Sequence, residues 1–274
     1  MKAVITAANP HHRNLPLQTL SDASGSPVPL LRLHLRDLEA AGITETAIIH
    51  HPDDETVYRE AASSGGTQLT MIGQDEPRGF GDAVLRARDF AVGEPFVLIV
   101  CDHLFLSTDP ERNCIRQLLD LYQELRRPVS AVQSTHESQV SSFGVVAGEP
   151  HGQQDGVFKV REVREKPTPT EAELHLRVAG NRSGYYLGFF GIHVLEADIF
   201  DRLDEVEELP LGLSPALHAL ARQGRLHAVL VKGDRFDLEA EYGLLQAQLA
   251  MALSGGNRET VLAHLVRILA GTKS

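Results

Sequence analysis

The stretch QDEPRGFGDAVLRARDFAVGEPFVLIVCDHLF, residues 74–105, sets a glycine-bearing loop, a helical pattern and a buried strand in sequence. Gly79 and Gly81 flank Phe80 at the start of the helical pattern over 81–90. Glycines there let the backbone approach a planar ligand, and the Gln74 amide can meet an amide edge with one donor and one acceptor. Residues 96–100, FVLIV, are apolar at every position, as expected for a strand covered on both faces. The run ends on Cys101 and Asp102, which places a carboxylate at the strand's carboxyl end.

The same alternation extends outward in both directions. Apolar runs at 3–5, 46–49, 67–72 and 129–132 read as further strands. Helical patterns at 29–41, 55–62 and 111–125 separate them, the first with an apolar stripe of Leu30, Leu31, Leu35 and Leu38. Such βα alternation predicts a mostly parallel sheet with helices on both faces. Ligands bind such sheets beyond the strands' carboxyl ends, so the segments after Ala7, Ile72 and Val100 should line a site. After Ser130 the pattern turns β-rich, with SSFGVVAGE, GVFKVREVREKP and GYYLGFFGIHVL joined by Gly- and Pro-containing turns. This suggests an added mixed or antiparallel layer. A helix over 214–223, a strand over 226–232 and helices over 242–252 and 258–270 complete the chain, with the turn SGGN between the last two. The expected division is a main domain over 1–254 and a helical extension over 255–274. The extension's stripe of Val261, Leu262, Leu265, Val266 and Leu269 is expected to cap the core.

With 274 residues, 42% hydrophobic and 23% charged, the composition is that of an ordinary globular protein. The net charge of −11 argues against broad nucleic-acid binding, which needs a basic face. No apolar run is long enough to span a bilayer, and the chain enters a strand without a signal peptide. Two cysteines, Cys101 and Cys114, do not make a disulfide framework and fit a reducing cytoplasm.

Three strand ends carry polar groups suited to one task. Arg13 follows the first strand, where a guanidinium can meet a phosphate. Gln74 and the Gly-x-Gly precede a helix. Asp102 ends one strand, and Asp237, in KGDRFDLEAEYGLLQA, lies between a strand and a helix. Two carboxylates from distant segments can converge on Mg²⁺, an oxygen-seeking ion that clamps phosphates. Singly, each has a plainer reading as a turn or helix-cap residue. The paired histidines His11-His12 and His50-His51 lack the spacing of a metal site and read as polar turn residues.

In order along the chain, these pieces resemble the sugar-1-phosphate nucleotidyltransferases, most closely the bacterial UTP–glucose-1-phosphate uridylyltransferases. QDEPRGFGDAVLRARDF is similar to the family's Q-x-E-P-x-G-L-G-H-A-V segment, and EPFVLIVCDHLF to its strand ending in Gly-Asp-Asp-Leu. SSFGVVAGE resembles S-x-Y-G-V-V, and VREVREKPTPTEA resembles E-K-P-x-P-x-E-A. GIHVLEADIFDRL looks like G-R-Y-V-L-x-P-x-I-F, and KGDRFDLEAEYGLLQA like G-x-x-Y-D-x-G-x-x-x-G-Y-L-x-A. The resemblance implies an α/β fold: a Rossmann-like core with a mostly parallel mixed sheet flanked by helices, a β-rich insertion and C-terminal helices. It implies uridylyl transfer from UTP to a sugar 1-phosphate, with glucose 1-phosphate the expected acceptor, Mg²⁺ as cofactor and a homodimer. Catalytic roles fall to Arg13, Asp102, Lys166 and Asp237, with Asp102 and Asp237 holding the metal. Nucleotide contacts fall to Ala7, Ala8, Gln74, Glu76 and Gly79, and sugar-phosphate contacts to Gly144, Glu165 and Lys166.

The sequence also departs from the family. Where the family has G-x-G-T-R, this chain has Asn9-Pro10-His11-His12-Arg13, and the lysine-bearing P-K-E-M-L-P segment is replaced by LSDASGSPVPLL. No lysine lies between Lys2 and Lys159, leaving Arg32 and Arg36 as local cations on a solvated helix face. Glu239 stands at a family glycine, Tyr186 at a sugar-holding asparagine, and His103 beside the metal aspartate. Proline has no N–H, and side chains restrict the backbone shapes that aim several N–H groups at a triphosphate. The departures favour an alternative, a catalytically impaired paralogue that binds a sugar nucleotide or sugar phosphate and regulates or partners an active enzyme. A third possibility has His11 and His12 replacing the loop contacts.

Overall fold

The computed structural model describes residues 1–63, 65–152 and 154–271. The first half runs β1 (Lys2–Thr6), β2 (Thr19–Ser21), β3 (Pro27–Pro29), α1 (Leu30–Ala40), β4 (Glu45–His50), α2 (Glu55–Ala62), β5 (Gln68–Gly73), α3 (Phe80–Leu85), α4 (Arg88–Ala91), β6 (Phe96–Val100), β7 (His103–Ser107), α5 (Cys114–Leu125) and β8 (Val129–His136). The second half holds β9 (Val145–Pro150), β10 (Val157–Arg164), α6 (Pro169–His175), β11 (Tyr185–Leu195), α7 (Asp198–Asp204), α8 (Ser214–Arg222), β12 (His227–Leu230), β13 (Gly233–Asp237), α9 (Gly243–Ser254) and α10 (Arg258–Gly271).

Nine strands form one sheet in the order β5-β4-β1-β6-β11-β8-β12-β10-β9. From β5 to β6 every pairing is parallel, as the βα alternation predicts. The chain leaves β1 toward β4 on one side and later places β6 on the other. That reversal creates a crevice at the strands' carboxyl ends. The sheet is less parallel than expected, because β11 pairs antiparallel with β6 and β8, and β10 pairs antiparallel with β12 and β9. The β-rich segment is therefore no separate layer: its strands continue the same sheet. β9 and β10 are too close in sequence for a crossover connection, so that pair is antiparallel.

Alternate residues of the central strands feed two cores. Val4 and Leu98 face one cluster, while Ala3, Ile5, Val97 and Ile99 face the other. The helix expected over 81–90 is split into α3 and α4, with Ala87 N–H donating to Val84 O at 3.0 Å in a tightened turn. A third, smaller cluster joins Leu20, Val28, Leu30, Leu104 and Leu238 to Ala247 and Met251 of α9. The expected capping by α10 is not observed, for none of its residues is buried and it lies along α9. Residues 272–274 of the expected extension lie outside the described residues.

Between α1, β7 and α9 is a cavity of about 400 Å³ bordered by His34, Asp37, Phe105, Cys114 and Met251. Burial pushes the Asp37 carboxyl up to about 7. Its unfolded value lies near 3.9. Between these values the unfolded chain ionises freely while the folded chain holds the proton, so this group lowers stability as pH rises from about 4 through 7. Asp37→Asn is therefore expected to leave stability unchanged at pH 4 and to raise it progressively toward pH 8. Chemical denaturation across that range checks this, and a gain independent of pH would contradict it.

Candidate active site

The crevice collects most of the residues singled out in the sequence. Asp102 follows β6, and β7 then pairs antiparallel with β13, setting Asp237 opposite His103. Leu238 N–H donates to Asp102 O at 3.0 Å, so two carboxylates far apart in the chain are held at one place by backbone bonds. Asp102 also hydrogen-bonds His103 Nδ1. Burial works to raise the Asp102 pKa, but the His103 bond and charge outweigh it and hold the carboxyl below its ordinary value. Asp237 Oδ1 accepts the Glu239 N–H at 2.9 Å. Burial, together with the charges of Asp102 and Asp237, pushes the Glu239 carboxyl up.

Among the described residues, no group of three or more His, Cys, Asp or Glu side chains is placed to hold a metal ion. The two aspartates are nevertheless hard oxygen donors suited to Mg²⁺, which typically takes one or two carboxylates and completes its shell with water and substrate phosphate.

The loop after β1 is closed by side chains where the family pattern has glycines. Ala7 and Ala8 are buried, and Ala7 N–H donates to Ile49 O at 2.7 Å. The buried Tyr58 hydroxyl lies 3.1 Å from Ala7 O and 2.8 Å from Arg13 O, tying the loop's two ends together. Asn9 Nδ2 donates to Glu239 Oε1 at 3.2 Å, and His12 Nε2 lies 3.6 Å from the same oxygen. Arg13 is turned onto Asp54, donating Nε and Nη2 to its two oxygens at 2.6 Å each. Its guanidinium thus already has a carboxylate partner, whose own pKa it lowers. Tyr58→Phe should cost about 1–2 kcal/mol by removing the one hydroxyl hydrogen that the two carbonyls share. It should also speed limited proteolysis at 8–14, and an unchanged cleavage rate would contradict the tie.

Gln74 is buried, and its Nε2 donates to Asp82 Oδ2 at 2.6 Å, so one amide hydrogen is committed within the protein. Glu76 is exposed. Gly79 has φ +123°, and a Cβ there would overlap the Leu211 backbone, lying 2.6 Å from its N. The neighbour that requires this glycine is thus the 209–213 loop. That loop is fastened by Gly81 N–H to Leu211 O at 2.8 Å and by Leu211 N–H to Arg78 O at 2.7 Å.

On the opposite wall, Gly144 approaches Glu165 and the Phe189 ring so closely that a Cβ would meet them at 3.0 and 2.6 Å. Glu165 accepts the Ser214 hydroxyl at 2.6 Å. Lys166 is exposed, has φ +42°, and donates its N–H to Phe143 O at 3.1 Å. Tyr186 is buried and donates to Glu173 at 2.8 Å. Arg36 lies on a solvated face as expected but Arg32 does not, and neither is a free cation. Arg32 is buried and paired with Glu39 at 2.8 Å, and Arg36 pairs with Asp22 at 3.0 Å. Their acidic partners come from α1 itself and from the turn after β2, whose approach the helical pattern does not record.

Arg235 was not singled out in the sequence. It is half-buried, with its guanidinium 3.5 Å from the centre of the Phe143 ring and Nη1 donating to Phe189 O. The alternation of β13, which puts Arg235 and Asp237 on one face, is the signal that points to it.

A mixed sheet whose parallel half has a switch-point crevice at its carboxyl ends is of the open α/β class, in which ligands bind at that place. The chain belongs to the nucleotidyl transferase family, whose model matches residues 13–238. It is 31% identical over 205 residues to the UTP–glucose-1-phosphate uridylyltransferase YngB of Bacillus subtilis (strain 168), covering 73% of this chain and 64% of that protein. Identity is also 31% over 192 residues with the UTP–glucose-1-phosphate uridylyltransferase of Streptococcus pneumoniae serotype 4, covering 68% and 60%. The matched part thus spans a little under two thirds of these relatives. Two solved structures share the fold. One is a UTP-bound UGPase from Acinetobacter baumannii, with TM-score 0.74 and 18% identity, covering 99% of both chains. The other is a UDP-glucose pyrophosphorylase complexed with UDP-glucose, with TM-score 0.72 and 22% identity, covering 91% of this chain and 97% of that one.

Proposed function

We propose that this protein transfers the uridylyl group of UTP to glucose 1-phosphate, giving UDP-glucose and pyrophosphate. The observation that carries this reading is the convergence of Asp102 and Asp237 at the end of the β7–β13 ribbon, whose Arg235 stacks on Phe143 beside Gly144. The names of the relatives at 31% identity supply the substrate pair. In the reaction, a phosphate oxygen of the sugar 1-phosphate attacks the α-phosphorus of UTP. The bond from that phosphorus to the bridging oxygen breaks, and pyrophosphate leaves with the electron pair. No covalent enzyme intermediate is needed, so the protein acts by positioning and charge neutralisation.

Asp102 and Asp237 would hold Mg²⁺, which when bound neutralises phosphate charge. Lys166 supplies a flexible ammonium for the sugar phosphate, and Glu165, oriented by Ser214, accepts from a sugar hydroxyl. Gln74, Glu76, Gly79, Ala7 and Ala8 would contact the nucleotide. We read the protein as a homodimeric cytoplasmic enzyme. Both cysteines are free thiols, which fits a reducing compartment. Among the described residues, no helix is long and apolar enough to cross a membrane.

The Asn9, His12 and Arg13 contacts favour a second reading, a silent relative that binds UDP-sugar without turnover, because they commit the loop to Glu239 and Asp54. Pyrophosphate release measured over a panel of nucleoside triphosphates and sugar 1-phosphates separates the two. Turnover selective for UTP with glucose 1-phosphate supports transfer, and calorimetric binding of UDP-glucose without turnover supports the silent relative.

A further inference from the structure

Arg235 lies on β13 two residues before Asp237, so both side chains leave the same face of the ribbon. Its guanidinium is stacked on Phe143, whose carbonyl accepts the Lys166 N–H at 3.1 Å and which immediately precedes Gly144. Arg235 therefore stands between the aspartate pair and the proposed sugar-phosphate wall. Asp102 and Asp237 both act on its charge, yet among the described residues neither forms an ion pair with it. Of the five N–H donors of a guanidinium, one on Nη1 is spent on Phe189 O. Holding a half-buried cation without a direct carboxylate partner is costly, and such an arrangement within a cleft marks a group kept for an anionic ligand. A guanidinium is not deprotonated in proteins, so Arg235 is a fixed positive charge at neutral pH.

Apart from the exposed Lys166, the site is short of positive charge. No lysine lies between Lys2 and Lys159, and Arg13, Arg32 and Arg36 are each paired with an internal carboxylate. We infer that Arg235 is a phosphate-binding residue of this site. Its remaining N–H groups donate to the phosphate of the sugar 1-phosphate, supplying positive charge that the glycine-poor N-terminal loop does not. This rests on the uridylyltransferase reading and adds to it a residue and a role. A planar fork suits two phosphate oxygens at once, and the Phe143 ring fixes its plane before the ligand arrives.

The test compares calorimetric binding of glucose 1-phosphate and of UDP-glucose to the wild type, Arg235→Lys and Arg235→Met, with melting temperatures measured alongside. Arg235→Met keeps an apolar stem over Phe143 and removes the charge. It should weaken glucose 1-phosphate binding by about 10- to 100-fold, the loss of a charge-assisted hydrogen bond. Arg235→Lys keeps the charge but loses the fork and should fall between the two, which carries the test if the methionine variant does not fold. Variants that fold and bind both ligands as tightly as the wild type would overturn the role of Arg235 and leave the uridylyltransferase reading standing. A folded wild type that binds neither ligand would overturn both.

Discussion

Asp237→Asn should lower uridylyl transfer by about 10²–10³-fold while leaving the fold in place. The size follows from removing one of the two carboxylates proposed to hold the charge-neutralising ion at the reacting phosphates, a loss comparable to deleting a preorganised electrostatic group. The fold should survive because the substitution is nearly isosteric. The oxygen of the introduced amide can still accept the Glu239 N–H, and β13 stays paired with β7 through its backbone. Melting within a few degrees of the wild type and a collapsed kcat are the expected pair of results. A kcat within tenfold of the wild type would remove Asp237 from the machinery.

A comparably large effect is expected from Gly243→Ala, although Gly243 bears no functional group. It begins α9, and a Cβ there would overlap Asp237 O and lie 3.1 Å from Leu238 Cα. Both obstacles are backbone, so neither can swing aside: the end of β13 or the start of α9 must move. Overpacking of this kind typically costs about 1–3 kcal/mol. The functional cost is larger, because displacing a catalytic group by about 1 Å can lower rate by about 10²-fold. Gly256→Ala is the control, since a Cβ at Gly256 meets nothing within 4 Å. Steady-state kinetics on both variants should show a large loss for Gly243 and none for Gly256. Equal activities would mean that the α9 contact does not position Asp237.

The contrast between these glycines shows how much of the site was legible in the sequence. The βα alternation located β1, β4, β5 and β6, hence the crevice, because buried parallel strands read as continuous apolar runs. The order of the motifs then placed Asp102 and Asp237 together without knowledge of any contact. The ribbon that joins them was not legible: GDRFD is short and polar, and becomes a strand only by pairing with β7. For the same reason Arg235 did not stand out. Gln74 and Gly79 were singled out by motif, but their partners Asp82 and Leu211 are set by packing that local pattern does not record. The N-terminal loop is the clearest case. Its lack of glycine was plain, whereas its fastening by Tyr58, Asp54 and Glu239 depends on contacts from distant segments.

The most direct measurement is pyrophosphate release from UTP and glucose 1-phosphate with Mg²⁺, run on the wild-type protein beside Asp102→Asn. Transfer by this site predicts steady turnover by the wild type, dependent on both substrates and reduced at least about a hundredfold in the variant. Wild-type release no faster than that of Asp102→Asn, with UDP-glucose still bound, would contradict it and leave a binding protein built on the nucleotidyl transferase fold.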